Sequence, residues 1–167
     1  MLYRFLGSGW ILLPVVLLVW RWWPEKVKYL LIAVVLESLL VIILKSLYLQ
    51  PRPAAVLSHV HLLLPLRTHS FPSGDAAMAF TIAGSLVIGQ PWQRSVLLWG
   101  YAVLIAYERM YLGVHFPLDV LSGALLGILA AISAYHVLDS NAGQRIQNSY
   151  TNWQHSMRHP FHREQSG

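Results

Sequence analysis

Apolar residues in this chain fall into five blocks, each near the roughly 20 residues a helix needs to cross a bilayer core of about 30 Å. The first runs from about Phe5 to Trp22 and contains Pro14, which a membrane helix tolerates with a kink. The second runs from about Val27 to Leu49 and the third from Gly74 to near Gly89, where Gly89-Gln90-Pro91 reads as a stop. The fourth runs from Arg94 to about Tyr111 and the fifth from Pro117 to about Leu138. Blocks three and five are rich in Gly, Ala and Ser, which let membrane helices approach closely. Trp20, Trp22, Trp23, Trp92 and Trp99 lie near block ends and suit interfacial anchoring, with Trp99 placed deeper. The pattern predicts an all-α integral membrane bundle of about five transmembrane helices.

Between the second and third blocks, residues 48–71 are long for a loop in a compact bundle. Within them Val56 to Leu64 is apolar and reads as a short helix lying in the interface. After Asp139 the chain turns polar and basic. Two regions are therefore expected, a transmembrane domain over 1–138 and a tail over 139–167 with too little apolar surface for a core of its own.

Composition agrees with a membrane setting. Hydrophobic residues make up 56% of the 167 and charged residues 11%, against about 25% charged in soluble domains; the mean hydropathy is +0.50. With no cysteine, neither a disulfide nor a thiolate metal site is available. The net charge of +5 does not point to nucleic acid, because most cations flank apolar blocks or belong to the motifs below. Arg4 and the apolar run after it resemble a signal peptide, but no small-residue cleavage site follows, so a retained helix is expected.

With five spans, the N-terminus and the loops after spans two and four share one side. Arg21, Lys26, Lys28 and Arg94, with the basic tail, fall on the other. The positive-inside rule then places the motif-bearing side outside the cytoplasm, in a bacterial-type inner or plasma membrane.

Three short stretches carry chemistry. Lys45 closes span two, and Arg52 follows between Pro51 and Pro53, whose rings stiffen the backbone that aims it. Arg offers a planar fork to phosphate oxygens and Lys a point charge. Pro72-Ser73-Gly74-Asp75 opens span three. Ser73 is a helix cap, and Gly74 lets an anion approach the free N–H groups of the helix start. Arg109, His115 and Asp119 straddle the start of span five. There Pro117 suits the first helical position, and the Asp119 carboxylate can reach back to one imidazole N–H. The other nitrogen is then free to attack phosphorus, with Arg109 completing a cationic cradle. Taken singly, each stretch has a plainer reading: snorkelling cations, an ordinary helix start, a structural loop histidine.

In this order and at these spacings, the stretches resemble the three-part signature of the type-2 phosphatidic acid phosphatase family. Six residues separate Lys45 from Arg52-Pro53, Pro72-Ser73-Gly74 follows, and five residues separate Arg109 from His115, with three between His115 and Asp119. The resemblance implies a helical membrane phosphatase working through a phosphohistidine without metal or other cofactor. His115 would be the nucleophile and Asp119 its partner; Lys45, Arg52, Arg109, Ser73 and Gly74 would bind phosphate. Family members typically have six spans, and the first of those has no counterpart among the five read here.

Two positions depart from the family. Asp75 stands where a histidine is usual, and Glu108 where serine is. That histidine is taken to protonate the leaving group. An aspartate does so only while protonated, and three nearby cations favour its ionised form. A phosphate leaving from a diphosphate needs little protonation, so a lipid diphosphate such as a polyprenyl diphosphate is expected over a monoester. Glu108 would instead rescue the acid if its like charge favoured protonation of Asp75, or it would pair with Arg109. Alternatives are a lipid phosphotransferase using the same intermediate and a non-catalytic lipid-phosphate binder. Glu37, inside span two, reads equally as functional or as hydrogen-bonded to another helix. His59, His61 and His69 read as loop histidines rather than metal ligands, and Tyr107 and Tyr111 as interfacial aromatics.

Overall fold

The computed structural model describes residues 12–57 and 69–140, and among these every regular element is helical. Helix α1 spans Leu12–Trp22 and leads through a 3-10 turn, Pro24–Lys26, into α2, Val27–Leu47. A single turn, α3, covers Pro53–Val56; α4 covers Gly74–Val87, α5 Trp92–Tyr111 and α6 Pro117–Asp139. Most of the stretch expected as an interfacial helix, Val56 to Leu64, lies outside the described residues, as do the tail after 140 and the chain before Leu12. The chain divides into two compact units, 1–134 and 135–167. The core and the site belong to the first; in the second, the Ser140 N–H donates to the His136 carbonyl at 3.1 Å.

Two stretches are long and apolar enough to cross a membrane, Pro24–Leu47 with mean hydropathy 2.5 and Pro117–Asp139 with 1.8. Helices α1 and α4 are apolar, but their 11 and 14 described residues fall short of the roughly 20 required. Helix α5 has the length, 20 residues, but its ends carry Gln93, Arg94, Glu108 and Arg109. Among the described residues, then, two full spans stand where about five were expected.

The packing is that of a bundle facing an apolar solvent. Its interior is built on small residues: Ala33, Ala76, Ala77, Ala83, Ala102 and Ala134 are fully buried. Large apolar residues point outward instead, among them Ile42, Leu97, Leu104 and Leu121, each more than 60% exposed. In water such a surface invites association; against lipid tails it costs nothing.

Helix α4 is central. Against α1 and α2 it packs Ile82 and Leu86 into a cluster with Val19, Leu30 and Val34. Against α5 it sets Phe80 beside Trp99, ring centroids 5.8 Å apart, which seats Trp99 in the packing. Against α6 the backbones nearly touch. A Cβ on Gly123 would lie 2.3 Å from the Ser73 carbonyl oxygen, and one on Gly127 2.3 Å from that of Ala77. Only glycine fits at either place, and the one-turn spacing of the two is that of close-packed membrane helices. This contact presses the start of α4, with Ser73, against the first turns of α6.

Candidate active site

The site forms where the C-terminus of α2, the N-terminus of α4, the C-terminus of α5 and the N-terminus of α6 meet. Each stretch reaches it for a local reason. Ser73 caps α4, its hydroxyl accepting from the Ala76 N–H at 3.4 Å, while its own N–H donates to the Asp119 carbonyl at 2.9 Å. Helix α5 ends in a turn at Gly113, whose φ of 67° a side-chain-bearing residue rarely adopts. Gly113 donates to Met110 and Val114 to Arg109, at 3.0 and 3.3 Å, so the chain folds back and carries His115 inward. Pro117 then starts α6 and leaves Asp119 in its first turn.

His115 is 4% exposed. Its Nδ1 faces Asp119 Oδ2 at 3.5 Å, within ion-pair reach but longer than a hydrogen bond. Its Nε2 lies 3.4 Å from Arg52 Nη1. An arginine nitrogen has no acceptor capacity, so Nε2 presents its lone pair on the cationic side and the ring proton belongs on Nδ1, toward Asp119. Burial is the main cause pulling the His115 pKa below its ordinary 6.5; Asp119 opposes it, and Arg52 and Lys45 reinforce it. The imidazole is therefore neutral near pH 7, as a nucleophile must be.

Asp119 is fully buried and held from three sides. Its Oδ2 accepts from the Phe116 N–H at 2.8 Å and from the hydroxyl of Ser70, itself fully buried, besides facing His115. Ser70 is a site residue that sequence reasoning missed. A serine in a mixed loop carries no signal of its own, and only the fold reveals what its hydroxyl touches.

The three expected cations converge. Arg52, 7% exposed, donates through Nη1 to the Val114 carbonyl at 2.7 Å and through Nη2 to the His69 carbonyl at 3.4 Å. Lys45 Nζ reaches the same His69 carbonyl at 3.0 Å. His69 thus enters through its backbone, while His59 and His61 lie outside the described residues. Arg109, 4% exposed, takes a different course. Its Nη1 bonds Asp75 at 2.9 Å and its Nη2 bonds Glu108 at 2.8 Å. Of the two roles open to Glu108, pairing with Arg109 is the one realised here. Glu37 is 2% exposed in the middle of α2, with Ser38 Oγ at 3.2 Å from its carboxylate. Tyr107 and Tyr111 stack at 6.3 Å on the exposed face of α5.

The resulting pocket of chemistry has a lone-pair nitrogen set among buried cations and a helix N-terminus, the arrangement a tetrahedral oxyanion requires. The family model described as PAP2 superfamily matches residues 26–142, which include every residue of this cluster. The chain belongs to the PAP2 superfamily. Among its PAP2 relatives, the chain is 36% identical over 119 residues to an undecaprenyl-diphosphatase of Sulfolobus acidocaldarius, covering 71% of this chain and 58% of that protein. It is 31% identical over 144 residues to the putative undecaprenyl-diphosphatase YbjG of Escherichia coli, covering 83% of this chain and 73% of that one. Two solved structures share the fold. One is Aquifex aeolicus LpxE, with 52% identity, a TM-score of 0.76 and coverage of 79% and 80% of the two chains. The other is a transmembrane PAP2-type phosphatidylglycerolphosphate phosphatase from Bacillus subtilis, with 28% identity, a TM-score of 0.64 and coverage of 79% and 71%.

Proposed function

We propose that this chain is a membrane-embedded lipid phosphatase, built on about five spans, that cleaves phosphate from a lipid through a phosphohistidine on His115. The observation that carries the reading is the orientation of one buried ring, with Nδ1 facing the Asp119 carboxylate and Nε2 set 3.4 Å from the Arg52 guanidinium. In this mechanism Nε2 attacks phosphorus and Asp119 steadies the imidazolium that develops. Arg52, Lys45, Arg109 and the N-terminus of α4 hold the equatorial oxygens, and water then releases phosphate from the nitrogen. The names of the Sulfolobus and Escherichia coli relatives support a polyprenyl diphosphate as substrate. So does Asp75, which is ionised while it pairs with Arg109 and is then no acid; a diphosphate's leaving phosphate needs none.

Phosphate release from a panel of lipid monophosphates and diphosphates, by purified protein with chelator present, tests this reading. Faster turnover of a polyprenyl diphosphate is expected. Faster cleavage of the monoester refutes the preference, and release from neither class refutes the activity. The charge pattern supports a site outside the cytoplasm, since Arg21, Lys28 and Arg94 lie at the other end of the helices. Cysteine placed at Trp92, at that other end, is expected to label only from the cytoplasm; labelling only from outside reverses the orientation.

A further inference from the structure

Arg109 differs from its neighbours in what already holds it. Lys45 and Arg52 donate to backbone carbonyls, whereas two Nη atoms of Arg109 are taken by the carboxylates of Asp75 and Glu108 at 2.9 and 2.8 Å. Its third donor, Nε, is buried with no hydrogen-bond partner among the described residues. The guanidinium is 5% exposed, while the two carboxylates that grip it are 25% and 26% exposed and have room to leave. Three cations, Lys45, Arg52 and Arg109, are matched by three carboxylates, Asp75, Glu108 and Asp119, around a neutral His115. A phosphoryl dianion brought into a buried cluster that is already neutral meets a large desolvation cost, unless one carboxylate withdraws or takes up a proton.

Asp75 is placed to do both, being in the first turn of α4 beside the helix N-terminus where the phosphate would bind. The ionisable groups facing it are Arg109 and Tyr101 on α5, Lys45 and Glu37 on α2, and Arg52 and His115 from the loops. Of these, Arg109 is the cation bonded to it. If Arg109 turns its Nη1 to a phosphate oxygen, Asp75 loses that partner and gains an anion in its place; both changes favour its neutral form.

We propose that substrate phosphate displaces Asp75 from Arg109, that the freed carboxylate takes up one proton, and that Asp75 delivers it to the leaving lipid oxygen. This rests on the lipid-phosphatase reading and supplies the acid that reading lacks for monoesters. In the first half-reaction the Nε2–P bond forms as the P–O(lipid) bond breaks. The electron pair goes to that oxygen and the Asp75 proton follows, releasing the lipid alcohol. In the second, water attacks phosphorus as the N–P bond breaks, its electron pair returns to Nε2, the proton lost by the water passes to solvent, and hydrogen phosphate leaves. For a diphosphate the leaving group is a lipid monophosphate and the proton is not needed. Dependence on Asp75 is therefore confined to monoesters. Glu108 is a positioning residue, holding Nη2 while Nη1 changes partner.

Calorimetric titration of the purified full chain with orthovanadate, in two buffers of different ionisation enthalpy near pH 7, reads the exchange directly. The wild type is expected to take up about one proton more per bound vanadate than Asp75→Asn does, and Glu108→Gln to keep that uptake. Monoester kcat is expected to fall about 100-fold or more in Asp75→Asn, the scale of a general acid, with diphosphate turnover within about tenfold of wild type. Equal uptake by wild type and Asp75→Asn overturns the proposal, and so does an equal loss on both substrates. If Asp75→Asn does not fold, the infrared difference spectrum of the wild type decides: a protonated-carboxyl band appearing with vanadate supports the exchange, and its absence overturns it. A wild type that releases phosphate from no lipid sinks the phosphatase reading separately, since vanadate binding still reports on Asp75.

Discussion

At the C-terminus of α4 the ammonium of Lys26 donates to the carbonyls of Leu86, at 2.7 Å, and Ile88. At the N-terminus of the same helix Arg109 and His115 are buried just as deeply, yet Arg109 Nε and His115 Nδ1 are without hydrogen-bond partners among the described residues. Both ends bury charge, but they dispose of it differently. The far end closes its own hydrogen bonds, a cation set on the negative pole of the helix and on its last orphan carbonyls. The near end leaves donors unmatched and sets the carboxylates of Asp75 and Glu108 on Arg109 beside the positive pole. Buried polar groups in folded proteins are otherwise paired, so a cluster left incomplete on one side is a place prepared for a ligand. The contrast separates a cation with closed hydrogen bonds from the cations of the proposed site where burial alone does not.

The contrast is broken most severely by His115→Ala. The variant removes the only proposed nucleophile while leaving the three cations and the helix start in place. Phosphate release is expected to fall by about 10³-fold or more, as when a covalent nucleophile is lost, with vanadate binding retained. Residual turnover within tenfold of wild type would mean that another group attacks phosphorus. A protein that only binds lipid phosphate would show no release before or after the change.

The mirror experiment is Lys26→Met. It keeps the apolar stem and removes the ammonium, leaving the carbonyls of Leu86 and Ile88 unpaired in a buried setting. A loss of about 1–3 kcal/mol is expected, seen as a lower thermal midpoint in detergent, because a buried acceptor stripped of a charged donor carries its full desolvation cost. The kcat of protein that remains folded is expected to be unchanged. A fall in kcat at an unchanged thermal midpoint would show that the two ends of α4 are not independent.

Much of the near end was legible in the sequence, and almost none of the far end was. Lys45, Arg52, Ser73, Arg109, His115 and Asp119 declare themselves through order and spacing, and proline and glycine mark where α4 and α6 begin. The helix limits follow from the same punctuation, with Gly89-Gln90-Pro91 following the end of α4 at Val87. Lys26, by contrast, reads in the sequence as one of the charges that orient the chain. A lysine beside an apolar block looks the same whether it lies in the headgroups or reaches the end of a helix sixty residues away. Ser70 was invisible for the same reason, since its contact with Asp119 joins segments forty-nine residues apart. The number of spans is less legible, because apolar composition does not say how much of a block is helical. Helix α4 begins on schedule at Gly74 yet holds only 14 residues.

The finest distinction between the two ends is in their response to pH. Burial, with Arg52 and Lys45 behind it, pulls the His115 pKa below 6.5, while Asp119 pulls the other way. The sign follows directly: the imidazole stays neutral as pH falls through 6.5 and gains its proton only below that. With a diphosphate substrate, whose cleavage does not draw on Asp75, the acid limb of kcat/KM is expected below pH 6.5. Lys26→Met should not move it. The 14 residues of α4 place its ends roughly 21 Å apart, about twice the distance over which charge is felt in ordinary salt. Asp119→Asn should lower the limb further, because it removes the group that holds the proton on the ring, though at much reduced rate. A limb above pH 6.5 in the wild type would mean that the carboxylate outweighs burial and that the resting histidine is charged. A limb displaced by Lys26→Met would mean that the far end, for all its closed hydrogen bonds, still reaches the nucleophile.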